Sequence, residues 1–197
     1  MIVLAFSNIS NNLSVSLIDK DKLLLDFFIG MQNQLIMISL IFEGIKKVID
    51  KEKIDRVFVT NGPGYYTTTR ITCLIAQITA FTLKKELFFV DNFKALKNIC
   101  FYIFGKQNTL PVIKIASHRY RTEGSIETTN LQEIINLAQK EKKDIIFTDF
   151  SEKEKEMLRE SGVSFYDFSH IYRSSLAYIY SKNDLKKSEN YEIEVVY

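Results

Sequence analysis

A glycine-rich turn is the segment of this 197-residue sequence whose residue types could bind a reactive group. It reads GPGYYTTTRIT from Gly62 to Thr72, after a buried-strand pattern (RVFVT) and before an apolar helix pattern. Such a turn can hold phosphate, because unpaired backbone N–H groups and the helix dipole favour an anion at a helix start. However, two tyrosines and three threonines replace small residues that would let a phosphate approach, and the Walker pattern is absent. Phosphate binding and a purely structural turn at Gly62, Pro63 and Gly64 both stay open.

Other chemistry-bearing residue types are sparse and badly spaced for catalysis. His118 and His170 are the only histidines, and neither has an acidic or cysteine residue at metal-ligand spacing. Cys73 and Cys100 lie within apolar helical patterns without CxxC spacing, so we expect them to be core thiols. We therefore predict no metal site, no cofactor and no catalytic residue.

One short basic cluster stands out against a nearly neutral background. The net charge of +2 is too small to indicate nucleic-acid binding by itself. In SHRYRT, however, Arg119 and Arg121 flank Tyr120, and such a set can contact phosphate and stack on a base. The alternative is a solvated hairpin with a local excess of charge.

Composition indicates a globular protein of the cytoplasm. With 46% hydrophobic and 25% charged residues, the chain can form one or two packed domains. The N-terminus has no basic region before its short apolar run, so it is expected to be a strand and not a signal peptide. The longest apolar stretch, residues 35–42, is too short to cross a bilayer.

Hydrophobic periodicity predicts an opening run of three strands and then alternating helices and strands. For the first half we predict three strands up to about residue 30 with a turn at Lys20-Asp21, helices at about 34–50, 67–84 and 93–104, and strands at 56–60 and 87–91. For the second half we predict a hairpin at 112–129, helices after the N-cap residues Asn130 and Ser151, the second ending at Gly162, strands at 144–150 and 163–168, a helix at about 171–181 and a terminal strand at 191–197. A loop at 105–111 separates an N-terminal subdomain, 1–104, from a smaller C-terminal one, 105–197.

This order of elements is typical of the ribonuclease-H-like, actin-like ATPase (ASKHA) fold. We predict an α/β chain of this class with a reduced second subdomain. Two motifs carry a closer resemblance: the GPG turn is similar to the GPGSFTGLRIG pattern of the bacterial TsaB (YeaZ) family, and LAFSNISNNLSVSL is similar to that family's start. The resemblance covers residues 1 to about 100 and is weak beyond residue 110. It implies a non-catalytic partner of TsaD in making N6-threonylcarbamoyladenosine at position 37 of tRNA.

Three polar positions depart from the pattern that the resemblance implies. Ser7 stands in the first-strand loop, where actin-like ATPases have an acidic residue, so a hard divalent cation has no anionic ligand there. The family's His-Ser-Glu is Asn33-Gln34-Leu35 here, and its Asp-Ala-Arg is Lys114-Ile115-Ala116. These changes favour a pseudo-enzyme.

The first two helices carry more apolar surface than one buried face needs. On the first, Leu35, Ile38, Phe42, Ile45 and Ile49 form one stripe; on the second, the main stripe is Ile71, Leu74, Ile75, Ile78 and Phe81. The remaining apolar and small residues predict a partner interface, which the resemblance places against TsaD. We predict contacts from Met37, Leu40, Ile41, Gly44 and Val48 on the first helix and Cys73, Ala76, Gln77 and Ala80 on the second, rimmed by Tyr65, Tyr66 and Arg70.

The resemblance implies a TsaD-like partner, with TsaE and tRNA joining through the complex, and a homodimer when the chain is alone. Arg119 and Arg121 are then candidates for a tRNA contact. Two alternatives stay open: a small actin-like kinase or glycoprotease-like hydrolase, and a self-associating structural protein. Either apolar helix could also be enclosed within the chain.

Overall fold

The computed structural model describes residues 1–9, 12–30, 34–125 and 127–196, without the side chains of residues 30 and 34–37. Asn33 lies outside the described residues, as do the side chains of Gln34, Leu35 and Met37. The first half contains these elements: β1 (Ile2–Ile9), β2 (Asn12–Asp19), β3 (Lys22–Gly30), α1 (Gln34–Val48), β4 (Ile54–Thr60), α2 (Tyr66–Leu83), β5 (Glu86–Val90) and α3 (Asn92–Phe104). The second half contains β6 (Thr109–Ala116), β7 (Arg119–Thr122), α4 (Leu131–Glu141), β8 (Asp144–Phe147), α5 (Glu152–Ser161), β9 (Phe165–Asp167), α6 (Ser174–Tyr180) and β10 (Lys186–Lys187).

Two sheets organise the described chain. The first has six strands in the order β10-β5-β4-β1-β2-β3, with β1, β4 and β5 parallel and the β1-β2-β3 meander antiparallel. The second has four strands in the order β7-β6-β8-β9. Parallel β4 and β5 end at the same edge of the first sheet, so Asn61 and Asp91 follow their strands side by side.

Helices cover both faces of each sheet. Apolar side chains of α1 and α2 pack on one face of the first sheet, and α3 and α6 pack on its other face. The layer of α3 and α6 also contacts Ile113 and Ile146 of the second sheet, whose far face is covered by α4 and α5. The resulting helix-sheet-helix-sheet-helix stack is the predicted actin-like class of fold.

Local signals account for most element boundaries. The β2-β3 turn uses Lys20 and Asp21 in the left-handed region, with φ of 45° and 73°. Asn130 and Ser151 cap α4 and α5 with side-chain oxygens that accept from backbone N–H groups three residues on, and Gly162 ends α5 at φ 70°. These predictions are confirmed.

The predictions for residues beyond 168 need correction. The predicted strand at 191–197 is wrong for residues 191–196, which lie in no strand or helix. The segment still shows strand-like alternation, since every second residue, Tyr191, Ile193 and Val195, packs inward against the helix layer of the first sheet. The alternating hydrophobicity therefore reflects burial and not hydrogen bonding to a neighbouring strand. Helix α6 begins at Ser174, three residues after the predicted start. Through α6, β10 and residues 191–196, the chain returns to the first sheet after β9.

Candidate functional site

The side chain of Asn92 organises the glycine-rich turn. Its amide nitrogen donates to the carbonyl oxygens of Asn8 and Pro63, each at 2.8 Å, and its oxygen accepts from the Tyr172 hydroxyl at 2.9 Å. The Asn92 backbone N–H donates to the Gly62 carbonyl at 2.5 Å. Asn92 is fully buried, so these bonds fix the turn to β1 and to the segment before α6. Sequence reasoning missed Asn92 because its partners lie far away along the chain.

The chain's own atoms fill the space around the turn. A Cβ atom on Gly64 would lie 2.7 Å from the Thr69 Oγ1 atom, which accepts from the Asn8 side chain at 2.9 Å. A Cβ on Gly62, which has φ 107°, would lie 2.1 Å from the Val196 carbonyl oxygen. Both glycines are therefore required for close approach of protein groups. Of the two interpretations of the GPG turn, the geometry favours the structural one.

The part of the cleft between the two sheets that Ser7 and Ser14 line is closed. Ser7 on β1 and Ser14 on β2 face Thr148, Asp149 and Ser169 across a space of about 10 Å³. That volume is about the minimum for one water molecule, whereas small-molecule sites occupy about 300 to 1,000 Å³. Ser7 is buried and its hydroxyl lies 3.1 Å from that of Thr60. In this conformation the space beside Ser7 has no room for a nucleotide.

A buried ion pair lies at the third departure from the family pattern, Lys114. The Lys114 Nζ atom lies 2.9 Å from a Glu154 carboxylate oxygen, and the Glu154 side chain is only 6% exposed. Burial acts to raise the pKa of Glu154, but hydrogen bonds from Tyr120, Lys114 and Ser151 outweigh it and lower the pKa to about 2. The same burial and bond raise the pKa of Tyr120. Lys114 therefore belongs to a structural cluster that anchors α5 to β6 and β7.

The orientation of α2 is the reverse of the prediction. Its small residues, Cys73, Ala76 and Ala80, are at most 1% exposed and pack on the first sheet. Its large residues, Leu74, Ile78 and Phe81, are 54%, 55% and 68% exposed. Small side chains let the helix axis approach the sheet closely, and the large side chains then point outward. The predicted contacts from Cys73, Ala76 and Ala80 are therefore wrong for this conformation, since those side chains are buried. Gln77 is partly exposed.

Helix α1 also divides into a buried and an exposed side. Ile41 is 2% exposed and belongs to the core, so its predicted role in an interface is wrong for this conformation. Leu40 and Val48, by contrast, are 54% and 51% exposed. Gly44 is partly exposed, and a Cβ there would lie 3.3 Å from the Phe27 ring.

The exposed apolar side chains of α1 and α2 form what we call the helix face. Its members are Leu40, Val48, Leu74, Ile78 and Phe81. A groove of about 350 Å³ runs between the helices, with Phe42 and Ile49 on one wall and Ile78 and Leu83 on the other. At the start of α2, Tyr66 is 55% exposed and the Arg70 guanidinium stacks 5.0 Å from the centre of its ring, while Tyr65 is partly exposed. Exposed apolar side chains on two helices with an apolar groove between them are typical of an interaction site.

The two arginines of the basic cluster have different surroundings. Arg119 is exposed, whereas Arg121 is partly buried and donates to the Ser125 carbonyl at 2.7 Å. Tyr120 between them is buried and cannot stack on a base. The tRNA contact stays a prediction for Arg119 and is not favoured by the position of Arg121.

The described residues contain neither a metal-binding group nor a helix able to span a membrane. No group of three His, Cys, Asp or Glu side chains is placed to hold a metal ion. Within the same residues, no helix combines the length and apolarity needed to span a bilayer.

Comparison with known proteins gives one family and one fold. The family model described as TsaD, tRNA N6-adenosine threonylcarbamoyltransferase, matches residues 34–148, more than half of the 197-residue chain. Among solved structures, YeaZ from Pseudomonas aeruginosa matches with a TM-score of 0.63 and 16% identity, covering 93% of this chain and 92% of that chain. An uncharacterized protein with similarity to peptidase YeaZ, from the same organism, matches with a TM-score of 0.70 and 16% identity over 100% of this chain and 98% of that one. No curated protein sequence matches. The expected resemblance and fold class are confirmed.

Proposed function

This chain belongs to the TsaD family, tRNA N6-adenosine threonylcarbamoyltransferase, and on that premise we propose that it is a non-catalytic subunit of the threonylcarbamoyl-transfer reaction. In this proposal a TsaD-like partner carries the metal, the nucleotide and the transfer chemistry. The present chain binds that partner and stabilises its productive conformation, which requires only a higher affinity for that conformation than for others.

The observation that carries the proposal is the helix face. Its five side chains are each about half exposed or more. Covering the exposed half of a large apolar side chain gives about 1 kcal/mol, so the five together give about 5 kcal/mol. Association costs at least about 4 kcal/mol in lost freedom of motion, so these five alone would support only weak binding. We therefore expect the partner to fill the groove between α1 and α2 as well, with an apolar helix as the fitting element.

The closed cleft supports the non-catalytic part of the proposal. Ser7 is bonded to Thr60 instead of presenting a carboxylate, and Lys114 is committed to Glu154. A small actin-like kinase or hydrolase that bound its substrate beside Ser7 would need this part of the cleft to open by several hundred Å³. The absence of turnover by the isolated chain is the corresponding expectation.

When TsaD is absent, we expect the helix face to bind the helix face of a second copy of the chain. A two-fold homodimer would bring two copies of the helix face together, because an isologous interface uses the same patch twice. TsaE and tRNA are then expected to join only through the TsaD complex, in the cytoplasm. We expect Arg119, which is exposed on β7, to contact the tRNA backbone.

A matched pair of charge substitutions tests the proposal. Ile78→Glu places a carboxylate in the helix face, where the side chain is 55% exposed, and Ile103→Glu makes the same change on α3, where it is 40% exposed. Both variants should keep the circular dichroism spectrum of the parent. We expect Ile78→Glu to weaken binding to co-expressed TsaD at least about 30-fold, since a buried unpaired charge costs more than about 2 kcal/mol, and Ile103→Glu to bind as the parent does.

Binding should be measured by calorimetry or interferometry, with light scattering for the homodimer. Parent-like affinity of Ile78→Glu would place the interface elsewhere. Turnover of ATP by the purified chain that survives repeated chromatography would contradict the non-catalytic assignment.

A further inference from the structure

A second cavity lies at the carboxyl ends of β4 and β5, away from the helix face. Its volume is about 610 Å³, within the range of small-molecule sites. Asn61 and Asp91, the residues that follow β4 and β5, form one wall, and Arg121 and Gly124 at the end of the β6-β7 hairpin form another. Ligands of open α/β sheets bind preferentially beyond the carboxyl ends of parallel strands.

Among the described residues, Arg121 has no counter-ion in this cavity. Its guanidinium donates to the Ser125 carbonyl, but its Nε atom is buried and has no acceptor. Burial lowers the pKa of Arg121, and no carboxylate of the described residues offsets that effect. A partly buried charge that is neither paired nor fully hydrogen-bonded is costly. An anion in the cavity would remove that cost.

The acidic residues of the cavity are already engaged. The Asp184 carboxylate binds Lys94 at 3.2 Å and the Asn98 amide at 2.8 Å. Glu123 pairs with Lys97 at 2.8 Å, and Asp91 caps α3 by accepting from the Lys94 backbone N–H at 2.9 Å.

Lys186 contributes a second uncompensated cation. It lies on β10 and lines the cavity, and it makes no ion pair among the described residues. Lys94 and Lys97 neutralise Asp184 and Glu123, whereas Asp91 accepts only a backbone N–H and keeps its charge. Arg121 and Lys186 therefore outnumber the one carboxylate that no cation of the described residues pairs with, and the cavity is locally positive.

Asn61 adds an unused acceptor to this positive site. The side chain is 5% exposed and its Nδ2 atom donates to the Glu194 carbonyl at 2.8 Å, but its Oδ1 atom is buried without a donor. Phe93 lines the cavity nearby and supplies apolar surface. Cationic, acceptor and apolar groups thus meet in one space.

We propose that this cavity binds a small carboxylate or phosphate compound that also carries an N–H or O–H group. Arg121 and Lys186 hold the anionic group, and Asn61 accepts the donor. The proposal stands whether or not the chain binds a TsaD-like partner.

The test is an NMR titration of the whole chain with three probes. N-acetylglycine supplies a carboxylate and an N–H group, acetate supplies the carboxylate alone, and inorganic phosphate supplies the other anion. The Arg121 side-chain Nε–H and the Gly124 and Ser125 amides report binding. We expect saturable shifts with Kd near about 1 mM for the better anion. N-acetylglycine should bind at least about threefold more tightly than acetate, since one hydrogen bond is worth about 1 kcal/mol.

Substitutions on one strand locate the effect. Arg121→Gln should weaken probe binding at least about tenfold, because hydrogen bonds to charged groups contribute about 1.5 to 3 kcal/mol. Arg119→Gln, two residues away and exposed, should leave it unchanged. If Arg121→Gln does not fold, Lys186→Gln on the exposed β10 replaces it, with an expected loss of about threefold.

Three results would overturn the proposal. The first is no saturable shift with any probe at about 50 mM, well above the expected Kd. The second is an equal loss in the Arg119 and Arg121 variants. The third is parent-like binding by both Arg121→Gln and Lys186→Gln. Tighter binding of acetate than of N-acetylglycine would remove Asn61 from the site and overturn that part.

Discussion

Two adjacent residues of α1 should behave in opposite ways when truncated to alanine. Ile41 is 2% exposed and packs in the core, while its neighbour Leu40 is 54% exposed on the helix face. Ile41→Ala should lower the free energy of unfolding by about 3 kcal/mol, the middle of the range for deleting a buried isoleucine. Leu40→Ala should change it by no more than about 0.5 kcal/mol, as is usual at exposed positions.

Affinity for the partner should show the reverse order. Leu40→Ala removes apolar surface that a partner would cover, so binding should weaken by about 1 kcal/mol or more, roughly fivefold. Ile41→Ala removes nothing that the partner contacts, so at a temperature where it stays folded its binding should match the parent. Urea unfolding followed by circular dichroism gives the first quantity, and calorimetry gives the second.

The outcome depends on the orientation of α1 alone, because the two variants share a helix and a substitution type. If Leu40→Ala and Ile41→Ala lower the free energy of unfolding equally, α1 is rotated about its axis relative to the structure described above. A stability loss at Leu40 larger than at Ile41 would refute the reasoning. An m-value that changes in either variant would show that the denatured state is involved as well.

Two further predictions concern the buried polar groups. Glu154→Gln should lower the free energy of unfolding by roughly 2 to 3 kcal/mol at pH 7. The pKa of Glu154 is lower in the folded state than its ordinary value of 4.5, so the ionised carboxylate stabilises the folded state at every pH above 4.5. That difference should shrink as the pH falls from about 4.5 to about 2, when the parent loses the same contribution; urea unfolding at a series of pH values checks this. Gly62→Ala should cost about 1 to 3 kcal/mol and expose the Val196 amide, which donates to the Asn61 carbonyl at 2.8 Å, to hydrogen exchange.

Each of these has a clear contrary result. A stability difference between Glu154→Gln and the parent that stays constant with pH would show that the carboxylate charge is not what stabilises the cluster. For the turn, Gly105→Ala is the control, since Gly105 has φ 67° but nothing within 4 Å of its Cβ position. Equal costs at Gly62 and Gly105 would mean that backbone conformation matters and contact with Val196 does not.

Helix and strand positions were predictable because their signals are local. Asn130 and Ser151 cap helices through bonds to residues three positions away, and the β2-β3 turn lies between two alternating patterns. Such interactions are visible in any short window of sequence. The opening order of strands and helices then restricts the fold class, since few layer architectures accommodate it.

The rotation of α2 was not predictable from hydrophobicity. Cys73, Ala76 and Ala80 form one apolar stripe and Leu74 and Ile78 form another, and both are compatible with a buried face. Which stripe is buried depends on how close the helix lies to the sheet, and that distance is set by tertiary packing. The stripe with the larger side chains is the exposed one, although residue size alone would place it in the core.

Long-range polar contacts were equally invisible in the sequence. Asn92 follows the N-cap residue Asp91 and reads as an ordinary first helical residue, yet its amide joins Asn8 and Tyr172. The segment 191–196 shows strand-like alternation, but it is held by the Asn61 side chain and by packing. In both cases the partners lie far apart along the chain, so no local pattern predicts them.

The return of the chain to the first sheet has a consequence for biosynthesis. Helix α6 covers β1 and β2 on one face, and Ser174 is hydrogen-bonded to Ser14 and Ser16 across the buried layer. When β1 to β5 have left the ribosome, the part of this face over β1 and β2 still lacks its cover until α6 has emerged as well. During that interval an apolar sheet surface is open to solvent and to other nascent chains. The first subdomain should therefore stay dependent on chaperones or prone to aggregation until α6 has left the ribosome, however early its own strands emerge.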